Sequence, residues 1–333
     1  MHYFRTYIPL KQILRIFERI IGAKGGANAP FAPPSATPLS EFIVIPKKTG
    51  AIYCSKHRTI SIMSQIAKII LKVIGERLKG KVNEYVDEEQ YGFRKGKGTR
   101  NATFVLRTVI ERAIEKQKDL YLCFVDFEKA FDTVKLGCLR ETLRKFGVDG
   151  ADIRVLMQLY WDQKAVVRVG DDVSEWVNIE KGVRQGCVLS PDLFSLYTQL
   201  VMEEMRDLEG VKVGGKNINN IRYADDMVRI ADSEEKLQAL MDKLHQGCGE
   251  VGLRINVAKT EVMGITKRRE RLMVNLNIEG AALYQVDKFR YLGSLVSEDG
   301  RCDDEIRARI GMAKSNFGSM RRILTNMSLG GQL

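Results

Sequence analysis

Tyr223-Ala224-Asp225-Asp226 sits between two apolar-polar alternations, residues 217 to 222 before it and 227 to 230 after it. A period of two on both sides predicts a strand, a tight turn and a second strand. Successive side chains of a regular strand point to opposite faces, so two adjacent aspartates serve one site only where the backbone turns. Carboxylates held close together raise each other's pKa unless a cation lies between them, and hard oxygen donors suit Mg2+. A solvated hairpin turn is the plainer explanation of an Asp-Asp pair, because Asp favours turns. The metal reading needs a third carboxylate. Asp171-Asp172 serves as an internal control: it lies between strand-like residues 165 to 169 and 174 to 179, has no partner motif, and reads as an ordinary surface turn.

The candidate third ligand lies about a hundred positions upstream. Leu120-Tyr121-Leu122-Cys123-Phe124-Val125 is a continuous apolar run, the pattern of a central strand covered on both faces, and it ends in Asp126. A carboxylate there is costly unless it meets a cation or hydrogen-bond donors. Helices are expected over 135 to 146 and 151 to 163. Gly182-Val183-Arg184-Gln185-Gly186-Cys187-Val188-Leu189 then runs into Ser190-Pro191-Asp192, where Ser at the N-cap, Pro at N1 and an acid in the first turn mark a helix start. The two glycines bracketing Arg184-Gln185 let the backbone approach a flat ligand or a base pair. Downstream, Asp232-Ser233-Glu234-Glu235 predicts a capping box opening a helix that Gly252 closes. Leu253, Ile255 and Val257 alternate as a strand ahead of Lys259. Strands at 273 to 278 and 291 to 296 are expected to form a small sheet, and a basic helix runs from about 304 to 325.

Towards the N-terminus, residues 42 to 45 and the stretch near Arg58 predict a basic-tipped hairpin, followed by a helix over 62 to 78. Residues 90 to 100 interleave aromatics, cations and glycines before a helix over 101 to 116. Such a loop can grip phosphates, or can simply be solvated. Residues 8 to 22 pattern as a basic amphipathic helix, open to targeting, membrane-surface or packing roles, and residues 25 to 40 as a Gly/Ala/Pro/Ser linker. At 333 residues the chain can hold more than one lobe. Its 53 basic and 42 acidic residues leave a net charge of +11, which calls for a polyanionic partner, nucleic acid or an anionic membrane surface. Six scattered cysteines without a Cys-x-x-Cys, and 3 histidines, argue against a zinc site and for reduced thiols in an intracellular protein, nuclear or cytoplasmic. No apolar run is long enough to span a membrane.

Phe124-Val125-Asp126-Phe127-Glu128-Lys129-Ala130-Phe131-Asp132, the Gly182 to Pro191 stretch and Tyr223-Ala224-Asp225-Asp226 closely resemble the palm motifs of reverse transcriptases from non-LTR (LINE-like) retrotransposons, in wording nearest the RTE/BovB group. The resemblance takes in Ile45-Pro46-Lys47-Lys48, the loop from 90 to 99, residues 256 to 260 and Tyr291-Leu292-Gly293, in the family's order over roughly 42 to 325. It implies an α+β right-hand polymerase fold with fingers and palm over 41 to 297 and a partial thumb over 298 to 333, after an N-terminal segment of 1 to 40. The implied activity is RNA-directed DNA polymerisation on an RNA template and DNA primer from deoxynucleoside triphosphates, with two Mg2+ ions or Mn2+ in their place. Asp126, Asp225, Asp226 and the Phe127 carbonyl would hold metal, and Lys259 would protonate the pyrophosphate leaving group. Phe131 would be the steric gate under the sugar. Lys47 and Arg58 would neutralise the triphosphate, with Lys48 an alternative to Lys47, and Gln185 would contact nucleotide and template. Arg94, Lys95, Lys97, Arg184 and Tyr223 would meet nucleic acid. The chain is expected to depart from the family in carrying neither an endonuclease nor a long C-terminal region, and residues 55 to 60 match the Asn-Tyr-Arg-Pro-Ile pattern loosely. A polymerase fragment or a weakened, nucleic-acid-binding remnant is therefore expected alongside the active enzyme, with an intron- or retron-type reverse transcriptase as the other alternative.

Overall fold

The computed structural model describes residues 40–46, 57–63, 65–160, 163–169 and 172–324. β1 (Ser40–Pro46) and β2 (His57–Ile62) pair antiparallel, with Phe42 opposite Ser61 and Ile45 opposite Arg58. Helix α1 (Gln65–Tyr85) buries Ile70, Leu71, Ile74, Leu78 and Val82, the three-and-four spacing that turns one helical face to a core. Helix α2 (Thr99–Glu115) starts at Gly98, whose N–H donates to Asn101 Oδ1 at 2.9 Å, and buries Ala102, Leu106, Val109, Ile110 and Ala113. β3 (Leu120–Val125) follows, then α3 (Ala130–Thr133), α4 (Leu136–Lys145) and α5 (Gly150–Tyr160). The chain returns to the first sheet with β4 (Gln163–Val169), β5 (Asp172–Val173) and β6 (Val177–Ile179); β4 runs parallel to β1 and antiparallel to β5 and β6.

Helix α6 (Ser190–Glu203) precedes the small hairpin β7 (Val211–Val213) and β8 (Lys216–Ile218), then β9 (Asn220–Tyr223) and β10 (Asp226–Ala231). Helix α7 (Glu234–Val251) is capped by Ser233, whose hydroxyl accepts from the Lys236 N–H, and ends at Gly252 in the left-handed region, φ +81°. β11 (Glu261–Ile265), β12 (Asn277–Ile278), β13 (Ala281–Ala282), β14 (Tyr284–Gln285), β15 (Lys288–Tyr291) and β16 (Ser294–Ser297) lead to the terminal helix α8 (Asp303–Leu324). Among the described residues no helix is long and apolar enough to cross a membrane.

The site is built on the second sheet, ordered β14-β11-β3-β10-β9. β3 lies at its centre, antiparallel to both β10 and β11, and is buried on both faces, as its unbroken apolar run requires. Leu120, Leu122 and Phe124 point to one side with Val228, Ile230 and Met263, where α2 and Tyr291 cover them. Cys123, Val125 and Met227 point to the other, where residues of α6 and α7 close the larger core. The described cysteines are free.

Several expectations shift on contact with the structure. Ser190 is the first residue of α6 rather than its N-cap, and its hydroxyl donates to the Arg184 carbonyl at 2.7 Å. Residues 253 to 257 form no strand; a single bridge between Phe127 and Ile255 is followed by a turn, because the segment docks on the end of β3. Residues 273 to 278 are strand only at 277–278, and within Tyr291-Leu292-Gly293 the residues Leu292-Gly293 are the turn between β15 and β16, with Leu292 at φ +49°. The N-terminal helix and linker, Lys47, Lys48 and Asp171 lie outside the described residues.

Candidate functional site

The β9–β10 turn carries Asp225 and Asp226, and its second residue, Ala224, adopts φ +60°. This left-handed conformation is uncommon for a residue with a Cβ, and here it reverses the chain in so short a span that both carboxylates stay at one end of the sheet. The antiparallel register brings Val125 opposite Met227, so one step further out Asp126 leaves β3 beside Asp226. The three acidic residues therefore meet at the ends of neighbouring strands. Asp226 reaches solvent, yet the protein around it together with the charges of Asp225 and Asp126 pushes its carboxyl up to about 6. Clustered negative charge of this kind suits hard divalent cations. Among the described residues no three His, Cys, Asp or Glu side chains close tightly enough round one point to hold an ion. The carboxylates share an electrostatic neighbourhood rather than a finished coordination shell.

A loop holds Asp126 in place. The Asn256 N–H donates to the Asp126 carbonyl at 2.8 Å, the Asp126 N–H donates to Thr260 Oγ1 at 3.3 Å, and the Glu128 N–H donates to the Arg254 carbonyl at 2.9 Å. Lys259 stands on this turn with its Nζ 3.7 Å from Asp126 Oδ2 and most of its side chain in solvent. Thr260 is fully buried. Its role escaped the sequence reading, though a small hydroxyl residue directly after Lys259 at the start of β11 was the available signal.

Phe131 follows within a few residues of Asp126, half-buried, its ring stacked on Phe194 at 4.5 Å between centroids and 19° between planes. Its carbonyl accepts from the Val183 N–H at 2.8 Å, which ties the Gly182–Leu189 segment to the same end of the sheet. Gly182 is required there: at φ +99° its missing Cβ would lie 3.0 Å from the Asp132 carbonyl oxygen. Gln185 donates from Nε2 to Asp132 Oδ1 at 3.4 Å, and its carbonyl accepts from the Ser61 N–H at 2.9 Å, joining palm to β2. Arg58 belongs to β2 by its backbone.

The expected nucleic-acid contacts divide. Arg184 is buried, donating from Nη2 to the Leu159 carbonyl at 2.7 Å and lying over the Tyr160 ring. It is a packing residue, since its guanidinium is turned into the core. Arg94 and Lys97 are spent on their own loop: Arg94 Nη1 donates to the Val86 carbonyl at 2.6 Å and Lys97 Nζ to the Glu88 carbonyl at 2.6 Å. Lys95 is exposed, and Tyr223 is half-exposed with Phe93 6.4 Å away between ring centroids.

The sheet, helical backing and acidic turn define a right-hand polymerase palm with a fingers sheet. Solved structures agree in fold: telomerase from Candida tropicalis aligns over 87% of this chain and 52% of its own with a TM-score of 0.57 at 15% identity, and a C-terminally truncated form over 78% and 53% with 0.55. The family described as "Reverse transcriptase (RNA-dependent DNA polymerase)" matches residues 45–296, and the chain belongs to it. Curated relatives are retrotransposon polyproteins: the Pol polyprotein of a type-1 R2 element of Nasonia vitripennis is 26% identical over 85% of this chain and 28% of its own length, and that of the type-2 R2DM element of Drosophila melanogaster 26% over 80% and 26%. The polymerase of the mobile element jockey of Drosophila funebris is 25% identical over 79% of this chain and 29% of its own. The chain is thus a LINE-like reverse transcriptase sequence spanning about a quarter of the length of these relatives.

Proposed function

We propose that the chain extends a primer 3′ end with deoxynucleotides on an RNA template, as the fingers and palm of a LINE-like, RTE/BovB-type retrotransposon polymerase working inside the cell. The observation that carries this reading is the meeting of Asp126 with Asp225-Asp226 at adjacent strand ends, where burial and both neighbouring charges raise the Asp226 carboxyl. Asp126, Asp225, Asp226 and the Phe127 carbonyl would hold two Mg2+ ions, or Mn2+, which when bound activate the attacking hydroxyl and offset charge on the leaving phosphate.

The protein's own groups supply the rest. Lys259, tethered to Asp126 only at 3.7 Å and otherwise in solvent, is free to swing to the leaving pyrophosphate and protonate it. The Phe131 ring, braced by Phe194, would act as the steric gate under the sugar and exclude a ribose 2′-hydroxyl. Gln185 positions nucleotide and template, Lys47 and Arg58 meet the triphosphate, and Lys95 and Tyr223 contact the nucleic acid, whose phosphates attract the net charge of +11. A related telomerase has been solved in complex with a fragment of telomeric RNA, which accords with an RNA partner.

Primer extension on poly(rA)/oligo(dT) with Mg2+ tests the proposal, with Asp225→Ala as the control. Extension by the wild-type chain that vanishes in the variant is the expected result. Salt-sensitive RNA binding without extension would instead identify a nucleic-acid-binding remnant.

A further inference from the structure

Gln90 is fully buried, belongs to a loop far from the acidic turn in sequence, and takes no part in the chemistry described above. Its Oε1 accepts two hydrogen bonds at 3.0 Å each, one from the Gly92 N–H and one from the N–H of Ala224. Two amide donors on one side-chain atom fix the orientation of the carboxamide as oxygen inward. Ala224 is the residue at φ +60° directly before Asp225. A left-handed Ala is strained against ordinary backbone, because its Cβ crowds the following carbonyl oxygen, so the turn needs something to hold it.

The loop backbone reinforces the grip. The Arg222 N–H donates to the Glu89 carbonyl at 2.9 Å and the Tyr91 N–H to the Arg222 carbonyl at 2.8 Å, so residues 89 to 91 run along β9 as a short parallel edge. Gly92 then lies directly on the turn: a Cβ there would sit 2.4 Å from the Ala224 nitrogen and 3.0 Å from the Tyr223 carbonyl carbon. Only glycine permits this approach. Arg94 and Lys97, by bonding the Val86 and Glu88 carbonyls, fix the same loop from its far side.

We propose that Gln90 is a positioning residue for the polymerase reaction: its carboxamide holds Ala224 in the left-handed conformation and thereby sets the direction of the Asp225 and Asp226 carboxylates. The inference rests on the polymerase reading for its effect on rate, but the clamp itself does not. A misplacement of about 1 Å at a reacting centre lowers turnover on the order of a hundredfold. Gln90→Leu, which removes the acceptor and keeps the bulk, is expected to lower kcat by about ten- to a hundredfold and to raise the Mg2+ concentration for half-maximal rate. Affinity for primer-template should change less than about threefold. Because glycine adopts positive φ without strain, Ala224→Gly should shrink the penalty of Gln90→Leu in the double variant.

A loss of rate matched by an equal loss of primer-template affinity, or an undiminished penalty in the Ala224→Gly background, would overturn the inference. Amide exchange at residue 224 reads the clamp independently of activity: Gln90→Leu should speed it at least about tenfold in folded protein, and an unchanged exchange rate also overturns the inference. Should the wild-type chain extend no primer, the polymerase reading fails while exchange at residue 224 still decides the clamp.

Discussion

The β9–β10 hairpin holds like charges in two places, and the protein treats them oppositely. At the turn, Asp225 and Asp226 lie beside Asp126, and burial together with the charges of Asp225 and Asp126 holds Asp226 up at about 6. On the hairpin's inner face, Arg222 and Arg229 are completely buried beneath α6; burial lowers Arg222 to about 10, and burial with the charge of Arg222 lowers Arg229 to about 9. Each group is a cluster of like charge. The acids lie where a mobile cation can reach them, whereas the guanidiniums are sealed, and among the described residues Nε and Nη1 of each have no hydrogen-bond partner. Accessible like charge is a means of binding ions; sealed like charge is a burden on stability. The two ends of one hairpin should accordingly separate activity from stability under mutation.

Asp226→Asn tests the accessible end and carries the largest effect. The amide keeps the shape and removes the charge, so extension should fall on the order of a thousandfold. The melting temperature should stay level or rise, because a repelled carboxylate has been removed. A protein that loses activity by unfolding would break the contrast.

Arg222→Met tests the sealed end. Arg222 Nη2 lies 3.2 Å from Asp87 Oδ2 and 3.2 Å from Gln199 Oε1, and Asp87 is itself largely buried. Removing the cation takes the buried partner from that carboxylate, although Arg206 still reaches Asp87 at 2.7 Å and the Gln199 Oε1 still accepts from the Asp87 N–H at 3.3 Å. Urea denaturation should show a loss of about 3 kcal/mol. Primer affinity of the folded fraction should be unaltered, since the side chain never meets solvent.

The contrast also marks what could be read from the chain in advance. The strand-turn-strand pattern around residues 223 to 226 and the apolar run ending in Asp126 were legible, because period-two alternation and continuous burial leave direct marks in sequence. β3 falls where its apolar run places it, and α2, α4 and α8 start within about two residues of expectation. Arg222 and Arg229 were illegible for the converse reason. A charged residue in a strand signals the solvent face, and nothing in its neighbours reveals that Asp87, Gln199, Met202 and Met205 fold over it. The same ambiguity misassigned Arg184, read as a nucleic-acid contact beside two glycines but buried against Leu159 and Tyr160. The loop from 90 to 100 offered cations to phosphates, whereas two of them bond carbonyls of the preceding turn. Side-chain amides such as Gln90 carry no periodic signal at all.

Asp192 sharpens the comparison from the acidic side, being a buried carboxylate away from the turn. Burial is the largest influence and holds it at about 6, with Lys79 pulling the other way. Its folded pKa stands above the ordinary 3.8, so the folded state binds the extra proton. The stability this proton contributes is full below about pH 4 and is lost as pH rises from about 4 to about 6. Asp192→Asn should flatten that slope and stabilise the fold at pH 7 by about 2 kcal/mol. An unchanged pH profile of chemical denaturation would show that Asp192 ionises freely in the folded protein.

Arg229→Met is the subtlest test and the one that isolates unpaired burial. Where Arg222 has Asp87, Arg229 Nη2 meets two thioethers among the described residues, Met202 Sδ at 3.3 Å and Met205 Sδ at 3.1 Å. Replacing a buried cation that strands no carboxylate by an apolar chain of similar length is neutral or favourable, because desolvation is relieved and no partner is orphaned. The variant should therefore be more stable than wild type by about 1 kcal/mol, opposite in sign to Arg222→Met. Removing the Arg229 charge also relieves Arg222, so combining the two substitutions should give a result that departs from the sum of the single effects. Equal destabilisation by both single variants would mean that the Arg229 cation is held by more than two sulfurs, and the division of the hairpin into a useful end and a burdened end would no longer stand.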